Sequence, residues 1–380
     1  MIRMLAFALW VSLGSLATTD AQEKAASSIG KLDPEMSERK PAEDGLVWYD
    51  VETWGTEGRI LPEQDRKRWY DRFPGSAEGS VTKSVWNLSR HSAGMMVRFK
   101  TDATAIHVHY KLLSANLAMP HMPATGVSGI DLYARDGDGR WRWVQVTRPS
   151  AKEMKVQLVS GLKPGLREYA AYLPLYNGVE FLRIGVDPKS KFETLAPRKK
   201  PIVFYGTSIT HGACASRPGM VHTAILGRRF DQPVVNLGFS GNGKMDREVG
   251  DFLVQIDAAI YVIDCLPNMN AKMVAQKCVP LVKQIRAAKP DTPIVLVEDR
   301  RNTNSWILPS RDAHHTANHQ SLRAAFDQLK ADSVGDLYYI PGDHLYGDDG
   351  DGATDGSHAN DLGFMRQADI FEPVLRNALN

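Results

Sequence analysis

The sequence predicts an α/β protein in which an all-β domain precedes a domain built on a parallel sheet. Two observations predict this order. Residues 46–197 contain short stretches in which apolar and polar side chains alternate, the period-two pattern of antiparallel strands. Residues 198–380 instead contain continuous apolar runs separated by helical stretches, the pattern of a parallel sheet covered by helices on both faces.

The β-rich part is predicted from five alternating stretches separated by turn residues. They are "MMVRFK" (95–100), "AIHVHYKLL" (105–113), "GIDLYARD" (129–136), "RWRWVQV" (140–146) and "VEFLRIGV" (179–186). A two-sheet, jelly-roll-like sandwich is the arrangement we expect for strands this short and this closely connected. The charged segment "LAPRKKP" (195–201), bracketed by proline, is predicted to be the linker to the second domain.

The second domain is predicted from five apolar runs that alternate with helical segments. The runs are "IVFYG" (202–206), "VVNLG" (234–238), "AAIYVID" (258–264), "PIVLVED" (293–299) and "LYYIP" (337–341). The helical segments are residues 247–256, 272–289, 314–332 and 361–379, where apolar side chains recur at helical spacing. Strand and helix therefore alternate along this half of the chain.

The N-terminal segment has the pattern of a secretory signal peptide. Arg3 precedes the apolar run "MLAFALWVSLGSLA", and "TDA" before Gln22 offers a small-residue cleavage site, so residues 1–21 are the predicted leader. An uncleaved membrane anchor is the alternative, but the run is short for a membrane span. Residues 22–45 are polar and predict a flexible lead-in. We expect an exported protein, secreted or periplasmic, with no membrane contact after cleavage of the leader.

Charge and cysteine content narrow the function classes. Forty-six basic and 44 acidic side chains leave a formal charge of +2, which favours a small molecule or neutral polymer over nucleic acid as partner. The three cysteines, Cys214, Cys265 and Cys278, allow either one disulfide with a free thiol or three buried thiols. No C-x-x-C motif and no cysteine–histidine pair has the spacing of a structural zinc site, which argues against a metal framework. We expect neither a metal nor a cofactor. The oligomeric state is left open.

Polar residues follow the predicted parallel strands, where ligands bind in open α/β sheets. Ser208 follows the first strand, "SGNG" (240–243) the second and "PNMN" (267–270) the third, while "TDGSH" (354–358) precedes the last helix. "YGTSIT" (205–210) lacks the second glycine of the nucleophile elbow, and a serine at this place is also typical of a helix N-cap. Asp355, three residues before His358, is placed to hold an imidazole by its Nδ1 hydrogen.

Together these segments resemble the four motif blocks of the SGNH hydrolases, also called the GDSL esterase family. "FYGTSIT" is similar to the first block, with Thr207 where many members have aspartate, and "VNLGFSGN" to the second, with Gly241 as the block glycine. "IDCLPNM" resembles the third through Asn268, although the usual "GxND" context is absent, and "DGSH" matches the fourth. "GIDLY" (129–133) resembles the "GxDLY" segment of the β-rich domain that precedes the hydrolase domain in one branch.

The resemblance implies a three-layer, flavodoxin-like SGNH hydrolase domain and a catalytic site. Ser208 would be the nucleophile, His358 the base and Asp355 the residue that orients the base. The N–H groups of Ser208 and Gly241 and the amide of Asn268 would form the oxyanion hole. Glycine suits position 241 because its N–H approaches a substrate without a Cβ in the way.

The remaining candidate residues have weaker indications of a role in binding. His211 and Asn242 are possible pocket residues, although structural hydrogen bonding is the default for Asn242 as it is for Asp264 and Asp299. "EDRR" (298–301) fits either a solvated charge cluster or a contact to an anionic or sugar group.

We expect hydrolysis of short acyl esters, above all acetyl, on a carbohydrate, so that the substrate is a small-molecule or oligosaccharide ester. The alternatives are a lipase or acylhydrolase for longer acyl esters, and a non-catalytic glycan-binding protein with a degenerate hydrolase domain. No long unstructured apolar insertion that could serve as a lipase lid is visible in the sequence.

Overall fold

The computed structural model describes residues 29–33, 36–37 and 39–380. The predicted leader, residues 1–21, and residues 22–28, 34–35 and 38 of the predicted lead-in lie outside the described residues. A short N-terminal unit ends at Lys40, and residues 41–380 form a second unit. The end of the predicted lead-in is not free, because the Ala42 N–H donates to the Lys155 carbonyl at 3.1 Å.

Nine strands form two antiparallel sheets in the first part of the larger unit. The strands are β1 (Val47–Asp50), β2 (Met96–Thr101), β3 (Ala105–Leu112), β4 (Asp131–Arg135), β5 (Trp141–Val146), β6 (Glu153–Ser160), β7 (Arg167–Tyr172), β8 (Val179–Val186) and β9 (Phe192–Leu195). One sheet has the order β1-β8-β3-β6 and the other β5-β4-β7-β2-β9. Two short helices, α1 (Lys83–Ser89) and α2 (Ala124–Val127), lie between the strands along the chain.

The two antiparallel sheets share one apolar core. Val97 and Phe99 of β2 pack in the same cluster as Val108 and Tyr110 of β3 and Leu182 of β8, and all five are buried. Because alternate side chains of a strand point to opposite faces, this shared cluster follows from the period-two pattern of the sequence. The predicted all-β sandwich is confirmed.

Five parallel strands with helices on both faces form the second part. The strands are β10 (Ile202–Gly206), β11 (Val234–Gly238), β12 (Ile260–Asp264), β13 (Ile294–Val297) and β14 (Leu337–Ile340), in the order β11-β10-β12-β13-β14. The helices are α3 (Ser208–His211), α4 (His222–Phe230), α5 (Arg247–Leu253), α6 (Ala271–Ala288), α7 (Pro309–Ala331) and α8 (Asp361–Leu379). Helices α5, α6 and α7 cover one face of the sheet, and α4 and α8 cover the other.

The register of this sheet aligns the strand ends that carry the site. Gly206 at the end of β10 pairs with Gly238 on one side and with Asp264 on the other. The loops that leave these three strands therefore start side by side at one edge of the sheet. This is the predicted flavodoxin-like, three-layer α/β domain, and the prediction is confirmed.

Two further predictions concern thiols and membrane contact. Cys214, Cys265 and Cys278 are free and buried, so the structure contains three buried thiols rather than a disulfide. None of the helices in the described part of the chain is long and apolar enough to cross a bilayer.

Buried polar contacts join the two parts of the larger unit. Arg72 is fully buried, and its Nη1 donates to the Asn236 carbonyl at 2.7 Å and to the Gly238 carbonyl at 3.0 Å, both on β11. Arg198, inside the predicted linker, forms a two-point ion pair with Glu57 at 2.8 and 2.9 Å. The linker is thus fixed to the sandwich by a charged pair, and Arg72 fixes the segment before α1 to the parallel sheet.

We expect Arg72→Met to destabilise the protein by about 3 kcal/mol, because buried carbonyl groups that lose their donors cost about 1–3 kcal/mol each. The free energy of unfolding, measured by urea denaturation, checks this. Arg68→Met is the control, since Arg68 is exposed and a surface change should stay within about 0.5 kcal/mol. Equal stability of the two variants would contradict this account of the junction.

Candidate active site

The turn after β10 presents Ser208 at the start of α3. The N-cap is Thr207, whose hydroxyl accepts a hydrogen bond from the Ile209 N–H at 3.3 Å. Ser208 itself is the first helical residue, so the N-cap interpretation of Ser208 is wrong, and its hydroxyl is not engaged in capping. As a first-turn residue, Ser208 also has a backbone N–H without an intrahelical partner.

The residue types on either side of Ser208 are set by close packing. A Cβ on Gly206 would lie 2.1 Å from the Thr210 Oγ1, so only glycine fits below that side chain. The Thr210 hydroxyl donates to Asp264 Oδ2 at 3.0 Å. Thr210, which replaces the second glycine of the nucleophile elbow, therefore ties the turn to the end of β12.

Three predicted site residues form a continuous hydrogen-bonded chain. The Ser208 Oγ lies 2.8 Å from His358 Nε2, and His358 Nδ1 lies 2.7 Å from Asp355 Oδ2. The other Asp355 oxygen accepts the backbone N–H groups of Ser357 at 3.0 Å and His358 at 2.7 Å. The carboxylate thus holds both the ring and the backbone of His358, which leaves Nε2 as the acceptor for the serine hydroxyl.

Asp355 remains ionised in this arrangement. Partial burial by itself would raise the pKa of Asp355, but hydrogen bonds from the His358 N–H, the His358 ring and the Ser357 N–H outweigh it and lower the pKa to about 2. A carboxylate beside Nδ1 would favour the imidazolium if the ring took a proton from Ser208.

The predicted oxyanion donors lie on the loops after β11 and β12. Gly241 has φ +68°, a left-handed conformation that favours glycine. Asn268 ends a short 3-10 helix, Leu266–Asn268, and its Oδ1 accepts the Gly243 N–H at 3.3 Å. Because the oxygen of the Asn268 amide is engaged, its NH₂ group is the end that remains for a ligand. This contact places Asn268 beside the loop that contains Gly241.

A tyrosine of the sandwich supports both the serine turn and the second loop. Tyr176 follows β7, and its hydroxyl lies 3.2 Å from the Ser208 carbonyl and 2.6 Å from Ser240 Oγ. It donates to the carbonyl and accepts from the serine. Tyr176 could not be predicted as a site residue from sequence patterns, because its partners are 32 and 64 positions away.

The prediction that His211 lines the pocket is wrong. His211 is fully buried, stacks on Tyr176 with ring centroids 4.1 Å apart, and donates from Nε2 to the Leu175 carbonyl at 2.7 Å. Burial lowers the pKa of His211 well below its usual range, so the ring is neutral. It packs behind the turn of Ser208. Asn242 donates to the Ser240 carbonyl at 2.7 Å and so stabilises its own loop, the default interpretation given above.

The segment Glu298–Arg301 is not a solvated charge cluster, because three of its four residues are buried and Arg301 alone is partly exposed. Glu298, Asp299 and Arg300 are buried. Arg300 pairs with Asp264 through both terminal nitrogens and donates from Nε to Gln367 Oε1 at 2.7 Å. Asp264 therefore has the structural hydrogen-bonding role predicted for it.

Asp299 is joined to two histidines of α7. Asp299, His315 and His319 place their possible metal-ligand atoms within 4.8 Å of one another. These atoms already bind each other, since His315 Nδ1 donates to Asp299 Oδ2 at 2.7 Å and His319 Nε2 lies 2.8 Å from Asp299 Oδ1. His315 Nε2 also accepts the Asn302 N–H at 3.2 Å. The cluster therefore anchors the loop after β13 to α7.

A cavity of about 280 Å³ opens beside the candidate triad. Its wall includes Ile209, Pro267 and Ser357, the immediate neighbours of Ser208, Asn268 and His358. The loop after β13 and the start of α7 add polar lining residues, namely Asn302, Ser310, Arg311 and His314. The cavity thus lies where the three site loops meet, and we call it the crevice.

The sandwich also reaches His358. The ring of His121, on the loop between β3 and α2, lies 6.1 Å from the His358 ring, centroid to centroid. The "GIDLY" segment holds the two parts together, since the buried Asp131 accepts from the Gly219 N–H at 2.8 Å and from Arg217 Nη1 at 3.0 Å. The sandwich is therefore part of the surroundings of the site.

Comparisons with known proteins agree with this architecture. The GDSL-like lipase/acylhydrolase family matches residues 199–376, and the GxDLY domain, described as the N-terminus of SGNH-hydrolase-type esterases, matches residues 46–192. No curated protein matches the chain.

Several solved structures are similar over most of the chain. A protein described as a GDSL-like lipase from Bacteroides ovatus is 30% identical, with a TM-score of 0.83 over 88% of this chain and 98% of that one. A salicylyl-acyltransferase from a tetracycline biosynthetic pathway is 17% identical, with a TM-score of 0.70 over the same shares, 88% and 98%. An acetyl xylan esterase from Butyrivibrio proteoclasticus is 8% identical, with a TM-score of 0.54 over 88% and 98%, and therefore shares the fold.

The two family matches cover both parts of the structure in the order in which the sequence motifs occur, and the similarity to the Bacteroides ovatus protein extends over both. The resemblance stated from the sequence is confirmed. The chain belongs to the GDSL-like lipase/acylhydrolase family, in the branch with a GxDLY domain ahead of the hydrolase domain, and is a carboxylic ester hydrolase.

Proposed function

We propose that this ester hydrolase is an exported serine esterase that removes short acyl groups, above all acetyl, from a carbohydrate. The observation that carries the proposal is the hydrogen bond of 2.8 Å between Ser208 Oγ and His358 Nε2, with Asp355 behind the ring at 2.7 Å. A serine hydroxyl is a weak nucleophile by itself and needs a base at this distance.

The mechanism follows from the direction of these hydrogen bonds. His358 Nε2 takes the Ser208 proton as Oγ attacks the ester carbonyl carbon, and the imidazolium then gives this proton to the departing alcohol oxygen. In the second half, His358 takes a proton from the water that attacks the acyl-enzyme. It then returns this proton to Ser208 Oγ, so acetate leaves and the serine hydroxyl is restored. Asp355 stays ionised and stabilises the imidazolium in both halves.

The negative charge that develops on the carbonyl oxygen would be stabilised by hydrogen bonds from the N–H groups of Ser208 and Gly241 and from the Asn268 NH₂ group. The orientation of the Asn268 amide, with Oδ1 turned to Gly243, supports this role. Donors that are fixed before the reaction need no reorganisation when the charge develops.

Two features of the crevice support a small acyl group on a polar alcohol. Its volume of about 280 Å³ is small, and its polar lining residues include Asn302, Ser310, Arg311 and His314. A long acyl chain placed against these groups would leave them without hydrogen-bond partners. Two of the similar folds described above belong to an acetyl xylan esterase and an acyltransferase, which is compatible with acyl chemistry at this site.

The alternative of an inactive glycan-binding protein is disfavoured by the intact hydrogen-bonded chain from Ser208 to Asp355.

Export is proposed from the leader pattern of residues 1–21, so the secreted protein or a periplasmic form would begin near Gln22. The site as proposed uses no metal and no cofactor.

We expect a fluorophosphonate probe to label the wild-type protein and not Ser208→Ala, because the probe requires an activated serine. The variant should also lose esterase activity by about 10⁴-fold or more, as when a triad nucleophile is removed. Mass spectrometry of the labelled peptide identifies the serine. Absence of labelling in folded wild-type protein would refute the proposed mechanism.

We expect Asn268→Asp to lower kcat by about 100- to 1,000-fold with little change in KM, because it keeps the oxygen that accepts from Gly243 but removes the NH₂ donor. Steady-state kinetics with 4-nitrophenyl acetate measure this. Asn270→Asp is the control, since it adds the same charge two positions away and aspartate can replace the asparagine that caps α6. Similar kcat values for the two variants would exclude Asn268 from the oxyanion hole.

We expect kcat/KM to fall as the acyl group is lengthened, by about 10-fold or more from acetyl to octanoyl, since the polar wall of the crevice cannot pair with methylene groups. Acid released from a series of 4-nitrophenyl esters and from acetylated oligosaccharides gives the measurement. A preference for octanoyl would favour the lipase alternative and overturn the carbohydrate assignment.

A further inference from the structure

The loop after β13 exposes three consecutive apolar side chains beside the crevice. Trp306, Ile307 and Leu308 are 83%, 60% and 37% exposed. Single exposed apolar residues are ordinary on protein surfaces, but a fully presented tryptophan within such a run marks a contact surface more often than a packing residue. We call residues 302–308 the tryptophan loop.

Backbone hydrogen bonds fix the tryptophan loop to the catalytic segment. The Thr303 N–H donates to the carbonyl of Gly356, the residue after Asp355, at 2.8 Å. Within the loop, the Ser305 N–H donates to the Asn302 carbonyl at 2.8 Å, and at its start the Asn302 N–H is bound by His315 as described above. The backbone before Trp306 is therefore fixed before any ligand arrives, which lowers the entropy lost on binding.

A second cavity, of about 370 Å³, lies under Trp306. Its other walls carry Arg301, Asp312, Asp343 and His344, so it combines one aromatic ring with several hydrogen-bonding side chains. Arg301 is bound to both carboxylates, at 2.7 Å to Asp312 and 3.0 Å to Asp343, which fixes the polar wall. Asn302 lines this cavity and the crevice, so the two cavities adjoin.

We propose that Trp306 and this second cavity form a subsite for a sugar ring next to the sugar that carries the ester. The inference rests on the proposed function and adds that the substrate is a chain of sugars rather than a single acylated unit. The C–H face of a pyranose ring suits the negative face of an indole. Its hydroxyl groups suit the carboxylates, the guanidinium and the asparagine around it.

The charges around the tryptophan loop favour a sugar over a lipid. Asp343 and Asp348 line the cavity, and Asp349 and Asp351 follow on the same segment. Arg301 pairs with Asp343 and Arg366 pairs with Asp349, but the segment still has more carboxylates than guanidinium groups, which disfavours an anionic lipid surface. A long acyl chain would leave the polar wall unpaired, whereas sugar hydroxyls donate to carboxylates and accept from Arg301.

Binding to unacetylated sugars tests the subsite without depending on turnover. Ser208→Ala is titrated calorimetrically with cellohexaose and xylohexaose, in the Trp306 form and with Trp306→Ala added. We expect the Trp306 form to bind at least one hexaose and Trp306→Ala to weaken that affinity about 10-fold, as for a central aromatic contact. Failure of both hexaoses to bind, or equal affinity of the two forms, would overturn the subsite.

Kinetics on the active protein give the second readout, with Ile307→Ala as the matched control from the same loop. We expect Trp306→Ala to lower kcat/KM on acetylated xylo-oligosaccharides about 10-fold and to change 4-nitrophenyl acetate hydrolysis by less than about twofold, while Ile307→Ala changes neither by more than about twofold. Equal losses in both variants, together with equal loss of binding to phosphatidylcholine vesicles, would mean that the loop contacts lipid and would overturn the proposal. If hexaose binding depends on Trp306 but no ester is hydrolysed, the esterase proposal fails and the subsite stands.

Discussion

The buried ion pair between Asp264 and Arg300 is the constraint on which the geometry of the site depends. Both side chains are fully or almost fully buried, so each charge needs all its partners inside the protein. Asp264 binds Thr210 on the serine turn, and Arg300 binds Gln367 on α8. Since α8 begins three residues after His358, the pair relates the turn of Ser208 and the loop of His358 to the same two strand ends, β12 and β13.

The all-β domain contributes residues to this arrangement and is not merely joined to the hydrolase domain by the linker. Tyr176 contacts both the Ser208 carbonyl and Ser240, and Arg72 binds the last part of β11, from which the Gly241 loop departs. A hydrolase domain without the sandwich would leave the carbonyl groups under Arg72 unpaired and His211 without its stacked ring. This explains physically why the "GIDLY" segment, which binds Arg217, and the hydrolase blocks occur together in one chain.

The sequence predicted the elements whose pattern is local. Strands β10 to β14 were predicted because each is apolar on both faces, and the long helices α6 and α8 because their apolar residues recur over several turns. Helix α4 was not predicted. A helix after Ser208 was expected only through the N-cap interpretation, since α3 has only four residues and shows no periodicity. Strands β1, β6, β7 and β9 also gave no decisive signal. Asn268 was assigned from the order of the blocks although its own motif is divergent, and its contact with Gly243 lies 25 positions away.

Contacts that are distant in sequence could not be predicted by periodicity. Arg72 is an arginine whose sequence context does not differ from that of a surface residue, and only its partners 164 and 166 positions away explain its burial. The same limit applies to Trp306, since composition does not distinguish an exposed tryptophan from a core one. His211 was misassigned for the related reason that proximity to Ser208 in sequence does not determine on which side of the turn a ring lies.

The turn at Ser208 differs in its backbone conformation from the tight nucleophile elbow of other hydrolases. That elbow places its nucleophile on a strained turn between two glycines. Here Thr207 is extended, with φ −102° and ψ −159°, and Ser208 begins an ordinary helical turn, so neither residue adopts the left-handed conformation. Within residues 205–210, packing requires glycine at position 206, because Thr210 lies over it. The hydroxyl of Thr210 then binds Asp264, so the position that an elbow gives to glycine here joins Ser208 to the buried ion pair. In the proposed mechanism, the reactivity of Ser208 comes from the position of His358 and the donors of the neighbouring loops, and not from stored backbone strain.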